Sequence, residues 1–335
     1  MIKTLFICKE RHSGYSKSYG LINSCSFVAN YLKDIGIPSF VEVVIDNNSI
    51  DRLVTLHKPT HVFIEALWVV PEKFKILSKL HPNVKWIIRI HSKAPFLANE
   101  GIAFNWINEY LLLQKQGVNI EVSVNNKEFY KDLQIAVSNK ISYTPNIYYP
   151  LEVPNRVYNI NEGIIKISSF GANRIQKNQL QQALVAIMFA KEINKTLHFY
   201  MNESKVEKDA AIAKNIFNLF KDSGHVLHIV PWLPHQEFLK LIAEMDIAMQ
   251  VSLTESFNIV SADSVACDIP TVGSQDIDWL SFVYKAIPTN TTSILFKLRL
   301  AYYYDKFNLQ ILNKISLKFY NYQAKKVWKN YLENA

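Results

Sequence analysis

The sequence predicts an α/β chain made of two doubly wound halves, and three observations predict it. Apolar runs of strand length alternate with amphipathic runs of helix length, the pattern of a parallel sheet with right-handed crossovers. A stretch rich in Pro, Asn and Gly, "LEVPNRVYNINEG", interrupts that alternation around 150–163. The alternation then restarts for a similar length, and 335 residues suit about two domains of roughly 100–200 residues each. The expected division is 1–155, 156–310 and a C-terminal helix over 311–335 packing back on the first domain.

In the first half "TLFICK" reads as a strand and "YGLINSCSFVANYLKDIG" as a helix closed by Gly36. Strand "FVEVVI", a short helix in "SIDRLVTLHKP", strand "HVFIEAL", helix "PEKFKILSKLHP" from Pro71 and strand "KWIIRIH" follow. Helix "IAFNWINEYLLLQKQG", strand "NIEVSVNN", helix "KEFYKDLQIAV" and the segment "ISYTPNIYYP" complete it. The second half reads as strand "IIKISSFG", helix "NQLQQALVAIMFAKEIN", strand "TLHFYMN", helix "KDAAIAKNIFNLFKDSG" and strand "HVLHIVPWL". Helix "HQEFLKLIAEM", strand "DIAMQVSL", helix "FNIVSADSVACD" and strand "PTVGS" come next, ahead of basic, aromatic C-terminal helices.

Composition narrows the function classes. Hydrophobic residues make up 49% and aromatics 13%, which excludes wholesale disorder. Cys8, Cys25 and Cys267 are odd in number and form no C-x-x-C, against a disulfide framework or structural zinc. The apolar runs fall short of the roughly 20 residues a membrane helix needs, and the N-terminus lacks a signal-peptide pattern. A soluble cytoplasmic protein is expected, in the host cytoplasm if the source is viral. The net charge of +8 favours an anionic partner. Eight Lys and Arg stand against Asp305 and Glu333 from Thr291 to Ala335.

Ligands of doubly wound sheets bind beyond the carboxyl ends of the strands, so the residues just after strands are the candidates. Gly14 lies in the loop "ERHSGYSKSYG" after the first strand; without G-x-G-x-x-G there is no dinucleotide fingerprint, against a dehydrogenase. His91 follows "IIRI", where a histidine hydrogen-bonds a ligand, acts as a base or is structural. Asn125 and Asn126 are turn residues or acceptor contacts. Arg174 and Lys177 in "GANRIQKN" stand where a helix begins, as a grip on a diphosphate or as a polar helix start. Trp232 follows another strand and packs a base or the core.

The stretch "SLTESFNIVSADSVACDIPTVGS" sets Glu255 eight positions before Asp263. At about 1.5 Å per helical residue the two acids lie roughly 10–12 Å apart on one side. That is too far for a shared-proton dyad or a single metal ion and suits an extended ligand. Main-chain N–H groups of Phe257, Asn258 and Ile259 at the helix start, beside Ser256, are candidates for sugar or phosphate oxygens. "DID" at Asp276–Asp278 is read as a chance tripeptide outside this site.

This stretch resembles the E-x-x-x-x-x-x-x-E signature of the retaining glycosyltransferases of group 1, which have the GT-B fold. It departs from it in Asp263 for the second Glu and in Asp268 for a common Gly. "GANRIQKN" resembles that family's diphosphate site, His91 its histidine near the donor sugar, Gly14 its first-strand glycine loop and "TPNIYYP" its interdomain hinge. The resemblance implies two Rossmann-like domains facing across a cleft and a nucleotide-diphosphate sugar donor, UDP-sugar foremost. It implies transfer with retention and neither cofactor nor metal. Glu255 would bind donor-sugar hydroxyls, Asp263 the ribose, Arg174 and Lys177 the leaving diphosphate, and His91 the reacting centre. Two acceptors fit the charge: a 5-hydroxymethyl-pyrimidine in duplex DNA, as in phage DNA-modifying glycosyltransferases, which is the favoured one, and a cell-surface glycan or lipid-linked acceptor at an anionic membrane surface. A catalytically degenerate nucleotide-sugar-binding protein is the non-enzyme alternative.

Overall fold

The computed structural model describes residues 2–10, 19–158, 160–204 and 210–334. It divides into two compact units, Met1–Tyr149 with Asn321–Ala335, and Pro150–Tyr320.

The first unit runs β1 (Thr4–Lys9), α1 (Tyr19–Asp34), β2 (Ser39–Val44), α2 (Ser49–His57), β3 (His61–Glu65), α3 (Glu72–Leu80) and β4 (Lys85–Ile90). It continues through α4 (Ala94–Leu97), α5 (Ala103–Lys115), β5 (Ile120–Val124), α6 (Lys127–Ala136) and β6 (Ser142–Tyr143). The strands form one sheet in the order β2-β1-β3-β4-β5-β6, every pairing parallel. Strands buried on both faces read as unbroken apolar runs, and β1, β3 and β4 are buried along almost their whole length. Asn126 starts α6 by accepting the Phe129 N–H at 2.9 Å, satisfying one of the donors a helix start leaves over.

The second unit runs β7 (Ile164–Ser168), a 3₁₀ turn (Ile175–Lys177), α7 (Gln179–Glu192), β8 (Thr196–Asn202), α8 (Ala210–Phe220) and β9 (Val226–Val230). Then come α9 (His235–Ile242), β10 (Ile247–Gln250), α10 (Ile259–Ala266), β11 (Thr271–Ser274), β12 (Lys285–Ala286) and α11 (Thr291–Tyr303). Its sheet, also parallel, has the order β12-β11-β10-β7-β8-β9. Strand β7 therefore lies between β8, reached directly, and β10, reached later. The chain reverses its direction of travel across the sheet at β7/β10, which is the topological switch point of this unit. At Gly273, in β11, an added Cβ would lie 2.6 Å from Leu280 Cδ2 and 2.8 Å from Ile277 Cδ1. Glycine lets the following loop, with Asp276, fold tightly back over the strand.

The last helix, α12 (Ile311–Glu333), is continuous across the division between the units. Its later residues belong to the first unit, where Trp328 is fully buried beside the stacked rings of Phe6 and Phe63, with centroids 6.0 and 5.2 Å away. Trp328 Nε1 donates to the Pro145 carbonyl at 2.7 Å. Four expectations are amended. Helix α10 starts at Ile259, not Phe257, because Asn258 takes a left-handed conformation (φ 61°) and caps Ser261 N–H with its side chain at 2.9 Å. The two-residue strands β6 and β12 and the four-residue α4 were not anticipated, because so few residues carry no periodicity. Among the described residues no helix is long and apolar enough to cross a membrane.

Trp328→Ala leaves a cavity and removes one of the two donors to the Pro145 carbonyl, the other being Arg89. We expect a loss of about 3–5 kcal/mol, the usual cost of deleting a large buried aromatic, measured as a lowered urea midpoint.

Candidate active site

In the second unit the loops after β7 and β10 meet at the switch point. The backbone past β7 reaches Gly171 at φ 119°, a conformation that favours glycine, and its N–H donates to Asn202 Oδ1 at 2.8 Å. Arg174 precedes the 3₁₀ turn that Lys177 ends. Two bonds lock this loop to the one after β10: Leu253 N–H to the Gln176 carbonyl at 2.7 Å, and Asn178 Nδ2 to the Val251 carbonyl at 3.2 Å. Across that junction Lys177 Nζ meets Glu255 Oε1 at 2.6 Å, with the Glu255 side chain 9% exposed and Lys177 21%. The Glu255 main-chain N–H donates to the Asp276 carboxylate.

Asp276 thus belongs to this cluster, which corrects the placement of "DID" outside it. The sequence distance of 21 residues hid it, since only the return loop beyond Gly273 brings it back. Asn258 Nδ2 donates to Gln250 Oε1 at 3.0 Å, and Gln250 Nε2 to the Phe170 carbonyl at 2.9 Å. This chain of amides ties α10 to both central strands. Phe257 is buried, its carbonyl accepting from Trp279 Nε1 at 2.7 Å and its ring packed near Trp279 and Tyr320. It is a packing residue and not part of the helix start. Ser256 and Ile259 are partly buried on either side of it and Asn258. Asp263 lies on α10 with His235 Nε2 2.9 Å from Oδ1. His235 is the first residue of α9 and was missed, although a histidine at a helix start just after a strand was visible in "VPWLPHQE". Trp232 Nε1 donates to the Glu203 carbonyl at 3.3 Å.

In the first unit His91 belongs to a second cluster, at the carboxyl ends of β3, β4 and β5. Glu65 and Arg89 are register partners on adjacent strands and both are fully buried. Arg89 donates to Glu65 Oε2 at 3.1 Å, to the Thr144 carbonyl at 3.0 Å, to the Pro145 carbonyl at 3.1 Å and to Asn146 Oδ1 at 2.6 Å. His91 Nε2 donates to Glu65 Oε2, and Asn125 Nδ2 lies 3.3 Å from Nδ1. A ring that gives its Nε2–H to Glu65 presents Nδ1 as acceptor to that amide. Both ring nitrogens are then engaged inside the protein, so the imidazole is held in orientation as a neutral group and is no ready base. Burial, then the Arg89 guanidinium, holds its pKa below the ordinary histidine value. Burial pushes Glu65 up, but Arg89 and His91 outweigh it and hold the carboxyl below the usual range. Glu65, Arg89 and Asn146 escaped notice because an acid and an arginine inside apolar strands carry no motif. Asn126 is the cap of α6. Gly14 lies outside the described residues. Among the described residues no three His, Cys, Asp or Glu side chains gather as a metal ligand set.

No protein-family model and no curated protein matches the chain. Solved structures do. Anabaena HepE, in complex with UDP and glucose, is similar over 100% of both chains, with 11% identity and a TM-score of 0.68. The sucrose-phosphate synthase of Thermosynechococcus elongatus is similar over 100% of both chains, with 13% identity and a TM-score of 0.64. The UDP-forming α,α-trehalose-phosphate synthase of Burkholderia xenovorans is similar over 86% of this chain and 77% of its own, with 10% identity and a TM-score of 0.61. The fold is GT-B. At such identities the likeness is one of fold alone, and function rests on the clusters above.

Histidine ionisation in the first unit gives a pH test. His91 has a depressed pKa, and burial with Lys85 pushes His61 down to about 4. Below the ordinary histidine pKa of about 6.5 the unfolded chain takes up protons that the folded one does not, so stability falls as pH falls through that window. Depressed Glu65 adds a further loss in the carboxylate range. We expect a lower urea midpoint at about pH 5 than at about pH 7.5, and a shallower decline in His61→Gln.

Proposed function

We propose that the protein is a glycosyltransferase that moves a hexosyl or pentosyl group from a nucleotide-diphosphate sugar, UDP-sugar foremost, to an acceptor hydroxyl with retention. The observation that carries the proposal is the Lys177–Glu255 contact at the β7/β10 switch point, beside the left-handed Gly171. Anionic ligands settle at such points, where helix starts and loop N–H groups converge.

Lys177, with Arg174, holds the diphosphate and neutralises the charge that grows on it as the glycosidic bond breaks, an electrostatic contribution made in the transition state. Glu255 accepts from donor-sugar hydroxyls, and its pairing with Lys177 keeps the two charges compensated until a donor enters. The Asp276 carboxylate orients Glu255 through its main chain. The N–H groups of Ile259 and Val260 in the first turn of α10 are donors a helix leaves without internal acceptors, available to phosphate or sugar oxygens beside Ser256 and Asn258. Asp263 takes the ribose hydroxyls, and the His235 bond fixes the shorter carboxylate in place. His91 is a positioning group, held by Glu65 and Asn125 at the carboxyl edge of the first unit's sheet.

For the acceptor, the glycan or lipid-linked class is preferred over a DNA base. The basic excess is concentrated on α12, where lysines alternate with exposed Ile and Phe, a mixture better matched to a lipid surface than to phosphate backbones.

Lys177→Gln and Glu255→Gln should each lower UDP-sugar turnover on the order of 10²–10³-fold, the usual loss for one preorganised electrostatic contact. His235→Ala should raise the apparent Kd for UDP with a smaller effect on kcat. Donor hydrolysis and UDP titration measure both. Equal turnover in wild type and Glu255→Gln would remove the catalytic assignment and leave a binding protein.

A further inference from the structure

We propose that the outward face of α12 docks the protein on an anionic lipid bilayer. The inference stands on this helix alone and is independent of the donor-site reading.

At 3.6 residues per turn, positions 311, 315, 318, 319, 322, 326 and 329 fall within an arc of roughly 100°. Ile311, Ile315, Phe319 and Tyr322 are all exposed there, Phe319 at 64% and Ile315 at 57%. Lys318, Lys326 and Lys329 share the same side and are exposed. The opposite side, with Asn313, Leu317, Ala324, Trp328 and Leu332, is buried. The helix thus has an inner apolar face that the protein covers and an outer apolar row that the described structure leaves bare. Four large apolar side chains three or four residues apart are more than the scattered single exposures of an ordinary surface.

Charge selects the occupant. From Ile311 to Glu333 there are five lysines and a single acid, Glu333. Lys314 is engaged with Asp268 at 2.5 Å, and Lys325 lies over the Tyr149 ring at 4.4 Å. Of the other three, all exposed, Lys318 adjoins Ile315 and Phe319, Lys326 lies over the Tyr322 ring at 4.4 Å and Lys329 is 3.7 Å from Glu333 near the helix end. A bilayer accepts both parts: Ile and Phe enter the boundary between headgroups and acyl chains, while lysine stems lie along it and lift their ammonium groups to anionic headgroups. Duplex DNA would use the lysines and leave Ile311, Ile315 and Phe319 in water. The helix also holds no arginine, the side chain best shaped to read guanine. A second copy of the chain would bring the same lysines against each other across a two-fold axis.

The test uses the full chain and three probes: vesicles of phosphatidylcholine with phosphatidylglycerol, vesicles of phosphatidylcholine alone, and a short duplex DNA. Two surface variants accompany the wild type, I315S/F319S and K318Q/K326Q/K329Q. Wild type should sediment with the anionic vesicles and far less with the neutral ones. I315S/F319S should lose at least about tenfold in partitioning, and the lysine variant roughly fivefold per lysine removed, as expected for lysines near an anionic surface. Both variants should keep the wild-type thermal shift with UDP, so a failed donor site and a failed docking face are told apart. The proposal is overturned if wild type does not sediment with anionic vesicles, or if I315S/F319S sediments as well as wild type. It is equally overturned if DNA binds more tightly than vesicles with no effect of I315S/F319S. Concentration-dependent dimerisation abolished by I315S/F319S, without vesicle binding, would assign the face to a second copy instead.

Discussion

The Lys177–Glu255 contact is the interaction on which the second unit's functional geometry depends. A carboxylate as covered as Glu255 is costly unless a cation and hydrogen bonds meet it. Lys177 supplies the cation from the loop after β7, and Asp276 holds the Glu255 main chain from the loop after β11. Three loops that are far apart in sequence are thereby fixed around one point. The parallel sheet makes this possible, because all its strands deliver their loops at the same edge. The order β11-β10-β7 sets those three loops side by side.

The first unit solves a similar problem more completely. Arg89 is buried at the end of β4 and satisfied by one carboxylate, two carbonyls and one amide. Removing Glu65 would leave the buried guanidinium without its counter-charge, which costs more than the contact itself contributes. This rigid core at the carboxyl edge holds His91 in a single orientation through Glu65 and Asn125. The imidazole is therefore better suited to present a fixed shape than to exchange protons.

Much of the architecture was legible in the chain. Fully buried parallel strands write themselves as apolar runs such as "HVFIE" and "WIIRI", and amphipathic helices as 3.6-residue repeats. Lys177, Glu255 and Asp263 were legible as candidates for another reason: two short motifs set them in the loops and the helix that follow β7 and β10. Asp276, His235, Glu65 and Asn146 were not, since each joins its cluster from a different loop or strand, and nothing local marks the meeting. The start of α10 was misplaced by two residues because a left-handed Asn258 is a tertiary choice, held by Gln250 as well as by its own capping bond.

By itself the sequence determined the alternation of strands and helices, their two halves and the charged side chains that stand just past strand ends. These follow from periodicity and local capping, which need only near neighbours. The tertiary structure alone decided which of those side chains meet. It paired Lys177 with Glu255 and His235 with Asp263, turned Phe257 inward and gave both nitrogens of His91 to the protein. Such pairings are settled by strand order and by the need to compensate every buried charge, and both are properties of the folded sheet, not of any stretch of chain.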